Sequence, residues 1–216
     1  MKTINITFIR IIVSVFLVTF SMDAANVEKI VKKVQKKYRS TKTIRIQFKE
    51  ISTFQLTGTT TEVSATLQME GKEKFRLESE DQVLVNNGNT MWRFNKLDSQ
   101  VLVDHAKQDQ QDAMLNSLLY KISDHYFSEL ITEKKEEGVK RYVIKLTPKP
   151  DEQSFFTAIK IEVRDKSWEI DQLVYTDYNG NETNYVIEKI DFNPSFNDSV
   201  FSFSPPEGIQ VVDLRY

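Results

Sequence analysis

Between residues 66 and 103 the chain alternates apolar and polar side chains in short runs, separated by Gly71, by Glu80-Asp81, by Asn86-Asn87-Gly88-Asn89 and by residues 95–99. A period of two bounded by Asn, Gly and Asp clusters predicts consecutive antiparallel strands. Asn-Gly tolerates the positive φ of a tight hairpin, so neighbouring strands are expected to pair in order as a meander. Alternate positions then give one apolar face, made of Leu67 and Met69, Phe75 and Leu77, Val83 and Val85, Trp92 and Phe94, Val101 and Val103, with the inward phase of 82–86 and 90–95 left open. The other face carries Gln68, Glu70, Lys74, Arg76, Glu78 and Arg93. A sheet with one wet and one apolar face must cover the apolar one. What covers it decides the function.

Upstream, Val27, Ile30, Val31, Val34 and Tyr38 recur at helical spacing and predict an amphipathic helix over 26–39, with Asn26 at its N-cap. Its opposite face, Lys29, Lys32, Lys33, Lys36 and Lys37, reads either as a solvated lysine face or as a basic patch for an acidic partner or anionic lipid. Strands are expected at 43–57 and 59–70. The first places Ile44, Ile46 and Phe48 on its apolar face, and the phase change at Ile51 and Phe54 suggests a bulge.

Residues 107–131 lack strand character. Ala113, Met114, Leu118 and Leu119 fit one helical face and Tyr126, Phe127, Leu130 and Ile131 another, so two short helices are expected here as cover. Strands resume at 132–137, 139–147, 159–163, 170–175 and 182–192, with a hairpin at Asn179-Gly180. No proline precedes Pro148, so none interrupts the meander. Together these elements make one domain over 26–216, of about eleven antiparallel strands curled around three helices.

Charge and composition narrow the roles open to it. A net charge of −2 lacks the basic excess of a nucleic-acid binder. Lys2 and Arg10 precede an apolar run at 11–20, and Ser21, Ala24 and Ala25 follow, which predicts an export signal peptide over 1–25. The run is short of the ~20 residues that a spanning helix needs. Losing Lys2, Arg10 and Asp23 with that segment takes the charge from −2 to about −3. Cysteine is absent, so no disulfide, thiol nucleophile, cysteine metal site or lipid-anchoring residue is available. A soluble exported protein is expected.

No catalytic constellation assembles. The chain has no Gly-x-Ser-x-Gly elbow, phosphate-binding glycine loop or His-Glu-x-x-His. His105 and His125 stand twenty residues apart without a second ligand at metal spacing, and Glu78, Glu80, Asp81, Asp98 and Asp104 read as the wet side of strands and turns. The glycosylation patterns at Asn181-Glu182-Thr183 and Asn197-Asp198-Ser199 are short enough to arise by chance. A binding protein is therefore expected, without catalytic residues, metal or cofactor.

The stretch Val83-Leu-Val-Asn-Asn-Gly-Asn-Thr-Met-Trp92-Arg-Phe-Asn95, followed by Gln100-Val101, resembles the central segment of the periplasmic outer-membrane lipoprotein carrier proteins, the LolA type. Leu146-Thr-Pro148, Asp177-Tyr-Asn-Gly180 and Phe201-Ser-Phe-Ser-Pro-Pro-Glu-Gly208-Ile-Gln-Val211 match in the same order. The resemblance implies a half-open antiparallel β-barrel covered by a helical lid, with a hydrophobic cavity between them. It implies a monomer that takes lipid-modified proteins from an inner-membrane ABC transporter across the periplasm to the outer membrane, with a dedicated acceptor there left open.

On that view the acyl-chain-binding candidates are Phe48, Leu67, Met69, Phe75, Leu77, Val83, Val85, Trp92, Phe94, Val101, Val103, Met114 and Leu118. In the family, an Arg-Pro before the Phe75 strand holds the lid shut. Here that pair is Gly71-Lys72, which makes Lys72 and Lys74 the latch candidates and implies a looser lid, lysine being the poorer clamp. The other reading kept open is a periplasmic lipid- or lipoprotein-sensing regulatory domain on the same half-barrel.

Overall fold

A computed structural model describes residues 26–106, 119–150, 154 and 156–215. The segment read as a signal peptide lies outside the described residues, as do Met114 and Leu118. The alternating runs form β1 (Thr43–Thr53), β2 (Thr60–Glu70), β3 (Lys74–Ser79), β4 (Gln82–Asn87), β5 (Thr90–Asn95) and β6 (Gln100–His105). The second half gives β7 (Tyr126–Glu136), β8 (Val139–Pro148), β9 (Phe156–Arg164), β10 (Ile170–Asp177) and β11 (Glu182–Phe192), and β12 (Gln210–Asp213) closes the chain.

All twelve strands belong to one sheet in the order β12-β6-β5-β4-β3-β2-β1-β11-β10-β9-β8-β7. Two meanders, β1–β6 and β7–β11, are joined by the antiparallel β1–β11 pair, and β12 adds to β6 in parallel. The sheet ends at β12 and β7 without closing on itself.

Helix α1 (residues 26–39) buries Val27, Ile30, Val31, Val34 and Tyr38 in the same core as Ile44, Ile46 and Phe48 of β1 and Ile144, Leu146, Ile159 and Ile161 of β8 and β9. Its lysines are not all idle: the Lys33 ammonium lies 4.3 Å from the centre of the Trp168 ring, and that of Lys37 lies 4.0 Å from the centre of Phe192. A short helix, α2 (Ile122–His125), leads directly into β7.

Three sequence expectations change. The second covering helix is instead the start of β7. Tyr126 and Leu130 lie two strand steps of two apart, a spacing that satisfies a period of two as well as one of four, and Ser128 between them takes the same phase. The bulge expected in β1 falls on its partner: Gln47 faces Lys189 and Phe48 faces Ile187, so Glu188 of β11 is the extra residue while β1 stays in phase to Thr53.

The third change concerns which face is inside. The registers Leu67↔Leu77, Leu77↔Leu84, Leu84↔Arg93 and Asn86↔Met91 carry the concave face from β2 into β5 through Leu84 and Met91. Val83, Val85, Trp92, Phe94, Val101 and Val103 pair among themselves and with Glu78 and Arg76, on the convex face.

That convex patch has its own cover. After Phe192 the chain crosses the outside of the sheet. Phe196 lies under Arg45 of β1, a 3-10 turn (Asp198–Phe201) touches β3 and β4, Phe203 meets Phe94 of β5 at 5.8 Å, and β12 pairs with β6. This strap gives the six residues an apolar layer distinct from the main core.

Tyr38, Tyr175 and Tyr185 lie in or beside that core, and burial pushes each phenol above its ordinary value of 10.0. Unfolding lets them ionise near that ordinary value, so above it the folded state holds more protons and stability falls as pH rises. Urea midpoints are therefore expected to drop above about pH 10, the ordinary tyrosine range. Tyr38→Phe should flatten that drop, and an unchanged slope would count against the assignment.

Candidate functional site

On the concave side, between the sheet and α1, lies a cavity of about 110 Å³. Its wall is Ile46, Phe48 and Glu50 of β1, Leu67 of β2, Leu77 of β3, Gln82 of β4, Ile170, Leu173 and Tyr175 of β10, and Tyr185, Ile187 and Ile190 of β11, with Tyr38 and Leu119 from the roof. β1 and β11 supply its centre because the bulge at Glu188 turns Ile187 and Ile190, three residues apart, to the same side. Tyr185 meets Phe48 at 5.5 Å and Tyr175 at 5.5 Å, so one rim is aromatic.

Of the residues picked out in the sequence, Phe48, Leu67 and Leu77 line this cavity. Met69 and Phe75 share their face and pair with each other, buried in the core beside it. The six valines and aromatics of β4–β6 lie on the convex side of the sheet, away from this cavity. The β10–β11 half of the wall was missed, because the extra residue in β11 breaks its alternation. The regular Ile159-Ile161-Val163 pattern next door was the signal that another apolar face lay there.

The roof is anchored near the C-terminal end of α1 by two sets of contacts. The backbone N–H of Ile170 donates to the Tyr38 hydroxyl at 3.1 Å, tying α1 to β10. Beside it, Tyr120 joins three parts. Its carbonyl accepts from Gln35 Nε2 at 3.0 Å and Arg39 Nε at 2.6 Å, and its hydroxyl donates to the Gly71 carbonyl at 3.3 Å. Ser123 Oγ donates to Gln35 Oε1 at 2.8 Å, so the segment around α2 and helix α1 form one hydrogen-bonded unit.

Gly71 has φ 63°, a left-handed conformation that glycine adopts readily, and that turn presents its carbonyl to the roof. The Lys72 ammonium stands 5.9 Å from the centre of the Tyr120 ring. Lys74 pairs with Glu70 at 3.3 Å, on the face opposite the roof.

Among the described residues no group of three or more His, Cys, Asp or Glu is placed to hold a metal ion, and no helix is long and apolar enough to cross a membrane. A curled, unclosed sheet whose oily hollow is roofed by helices defines the half-barrel class of binding folds. Within that class the chain belongs to the outer membrane lipoprotein carrier protein LolA family, whose model matches residues 39–204.

An uncharacterised protein of Methanocaldococcus jannaschii is 26% identical over 87% of the chain, which spans only 54% of that relative. An outer-membrane lipoprotein carrier protein of Histophilus somni is 24% identical over 70% of the chain and 72% of its own length. Among solved structures, an uncharacterised conserved protein from Thermus thermophilus superposes with a TM-score of 0.57 at 12% identity, over 87% of this chain and 99% of that one. This last likeness concerns the fold alone.

Proposed function

We propose that the protein carries the acyl chains of lipid-modified proteins beneath its helical roof, and does so in the periplasm as an exported monomer. It would receive this cargo from an inner-membrane ABC transporter and give it up at the outer membrane. The observation that carries the reading is the cavity. Its wall is largely apolar on β1, β2, β3, β10 and β11 together, and among the described residues its roof meets the sheet through hydrogen bonds at Ile170 and Gly71.

At about 110 Å³ the cavity is smaller than the ~150 Å³ that accommodates a benzene ring. Binding a long chain therefore requires the roof to move, which suits a carrier. Each buried methylene contributes about 0.8 kcal/mol, so several full chains would exceed the ~18–21 kcal/mol at which affinities saturate. Opening the roof uses part of that gain and leaves a ligand that can be released. Phe48, Leu67 and Leu77 are the wall against which the chain lies, and Met69 and Phe75 are the residues it reaches when the roof lifts.

Tyr120 takes the place of the latch, with its hydroxyl on the Gly71 carbonyl and Lys72 over its ring. Removing one such hydrogen bond is worth about 0.5–1.5 kcal/mol. Tyr120→Phe should therefore release a fluorescent acyl probe roughly two- to tenfold faster, with Lys72→Ala the weaker change. Equal release rates in stopped flow would retire the clasp. Native mass spectrometry of the protein isolated from periplasm tests the wider reading. Bound acylated polypeptide supports it, free lipid points to a lipid shuttle, and an empty cavity speaks against a carrier.

A further inference from the structure

Glu50 is the only charged side chain among the described residues lining the cavity. It is half-buried and faces Tyr185 across the β1–β11 pair, with both side chains in the cavity wall. Tyr175 packs edge-on against Tyr185, so the carboxylate stands on an aromatic rim. The neighbouring Lys49 turns to the convex face, where it meets Glu62 at 2.8 Å and Glu188 at 4.0 Å. Among the described residues Glu50 forms no ion pair, and the other polar side chain in the wall besides the tyrosines is the neutral Gln82. A carboxylate withdrawn from water into an apolar wall is unfavourable unless something supplies a counter-charge. A wall built only to hold hydrocarbon has no use for one.

We infer that Glu50, set beside Tyr185 in the wall, reads the head of the ligand: the cavity takes a chain whose polar end carries an ammonium group. The inference rests on the carrier reading and sharpens it. The ammonium has two sources, the free α-amine of a lipid-modified polypeptide and the amine of a phospholipid head group.

Displacement of a fluorescent probe by dodecylammonium, dodecanol and dodecanoate separates head from tail, because the three share one chain. The wild-type protein should bind dodecylammonium about tenfold more tightly than dodecanol, the scale of one hydrogen bond to a charged group, with dodecanoate weakest. Glu50→Gln should erase the gap between dodecylammonium and dodecanol, with far-UV circular dichroism and a melting curve showing the variant folded. Equal binding of all three by the wild-type protein, or a gap that survives in Glu50→Gln, overturns the inference and leaves the carrier reading standing. Binding of none of them overturns both. A lipopeptide with a free α-amine against its N-acetylated twin, and phosphatidylethanolamine against phosphatidylglycerol, then assign the source. A preference in either pair supports the inference, and indifference in both overturns it.

Discussion

Phe201→Ala is expected to lower the free energy of unfolding by about 3–5 kcal/mol, the range for deleting a buried phenylalanine side chain. Phe201 is 4% exposed although it lies on the outside of the sheet, in an interaction with Phe196 at 5.7 Å and above β3 and β4. The turn that carries it lies against β3 and β4, whose convex side holds Val83 and Val85 opposite Glu78 and Arg76. Domains are commonly stable by only about 5–15 kcal/mol, so this one truncation removes a large share. Urea denaturation read by far-UV circular dichroism gives the value. A loss below about 1 kcal/mol, within the range of ordinary surface substitutions or slightly above it, would mean that the strap merely lies on the sheet.

Leu173→Trp should have the opposite profile. Leu173 faces the cavity from β10, opposite Tyr185 and Ile161. Filling an existing void avoids the overpacking that makes larger side chains costly in a dense core, so stability should hold or rise slightly. Acyl-probe affinity should fall at least about tenfold, equal to 1.4 kcal/mol of lost burial or added opening work. Isothermal titration beside a melting curve reads both quantities. Full affinity in a stable Leu173→Trp protein would place the ligand elsewhere on the molecule.

The strand pattern of 66–103 and the helix at 26–39 were legible because each has one buried face and one wet one, so the period is visible in the letters. The phase of β4 and β5 was not. Val83, Leu84 and Val85 are all buried, and so is Met91 beside the partly buried Trp92, because the roof covers one side and the strap the other. When both faces are covered, composition stops distinguishing them, and only the register from Leu67 through Leu77 to Leu84 decides.

The same reasoning explains why only part of the cavity wall was legible in the sequence. Phe48, Leu67 and Leu77 came from strands with a wet outer face, whereas the β11 part of the wall depends on the extra residue at Glu188, which interrupts the alternation that would have marked it. Tyr120 as a clasp was equally hidden, since it joins Gly71 and Gln35 across 49 and 85 residues of sequence.

The strap crosses β1 to β6 and, among the described residues, leaves β7 to β10 uncrossed. One half of the shell is thus braced from behind by the strap. The other half is cross-tied by charge instead, with Arg141 of β8 paired to Glu162 of β9 and Asp171 of β10, and Arg164 of β9 paired to the same Asp171. Added salt should therefore loosen one half of the shell more than the other, because ion pairs are screened and hydrocarbon contacts are not.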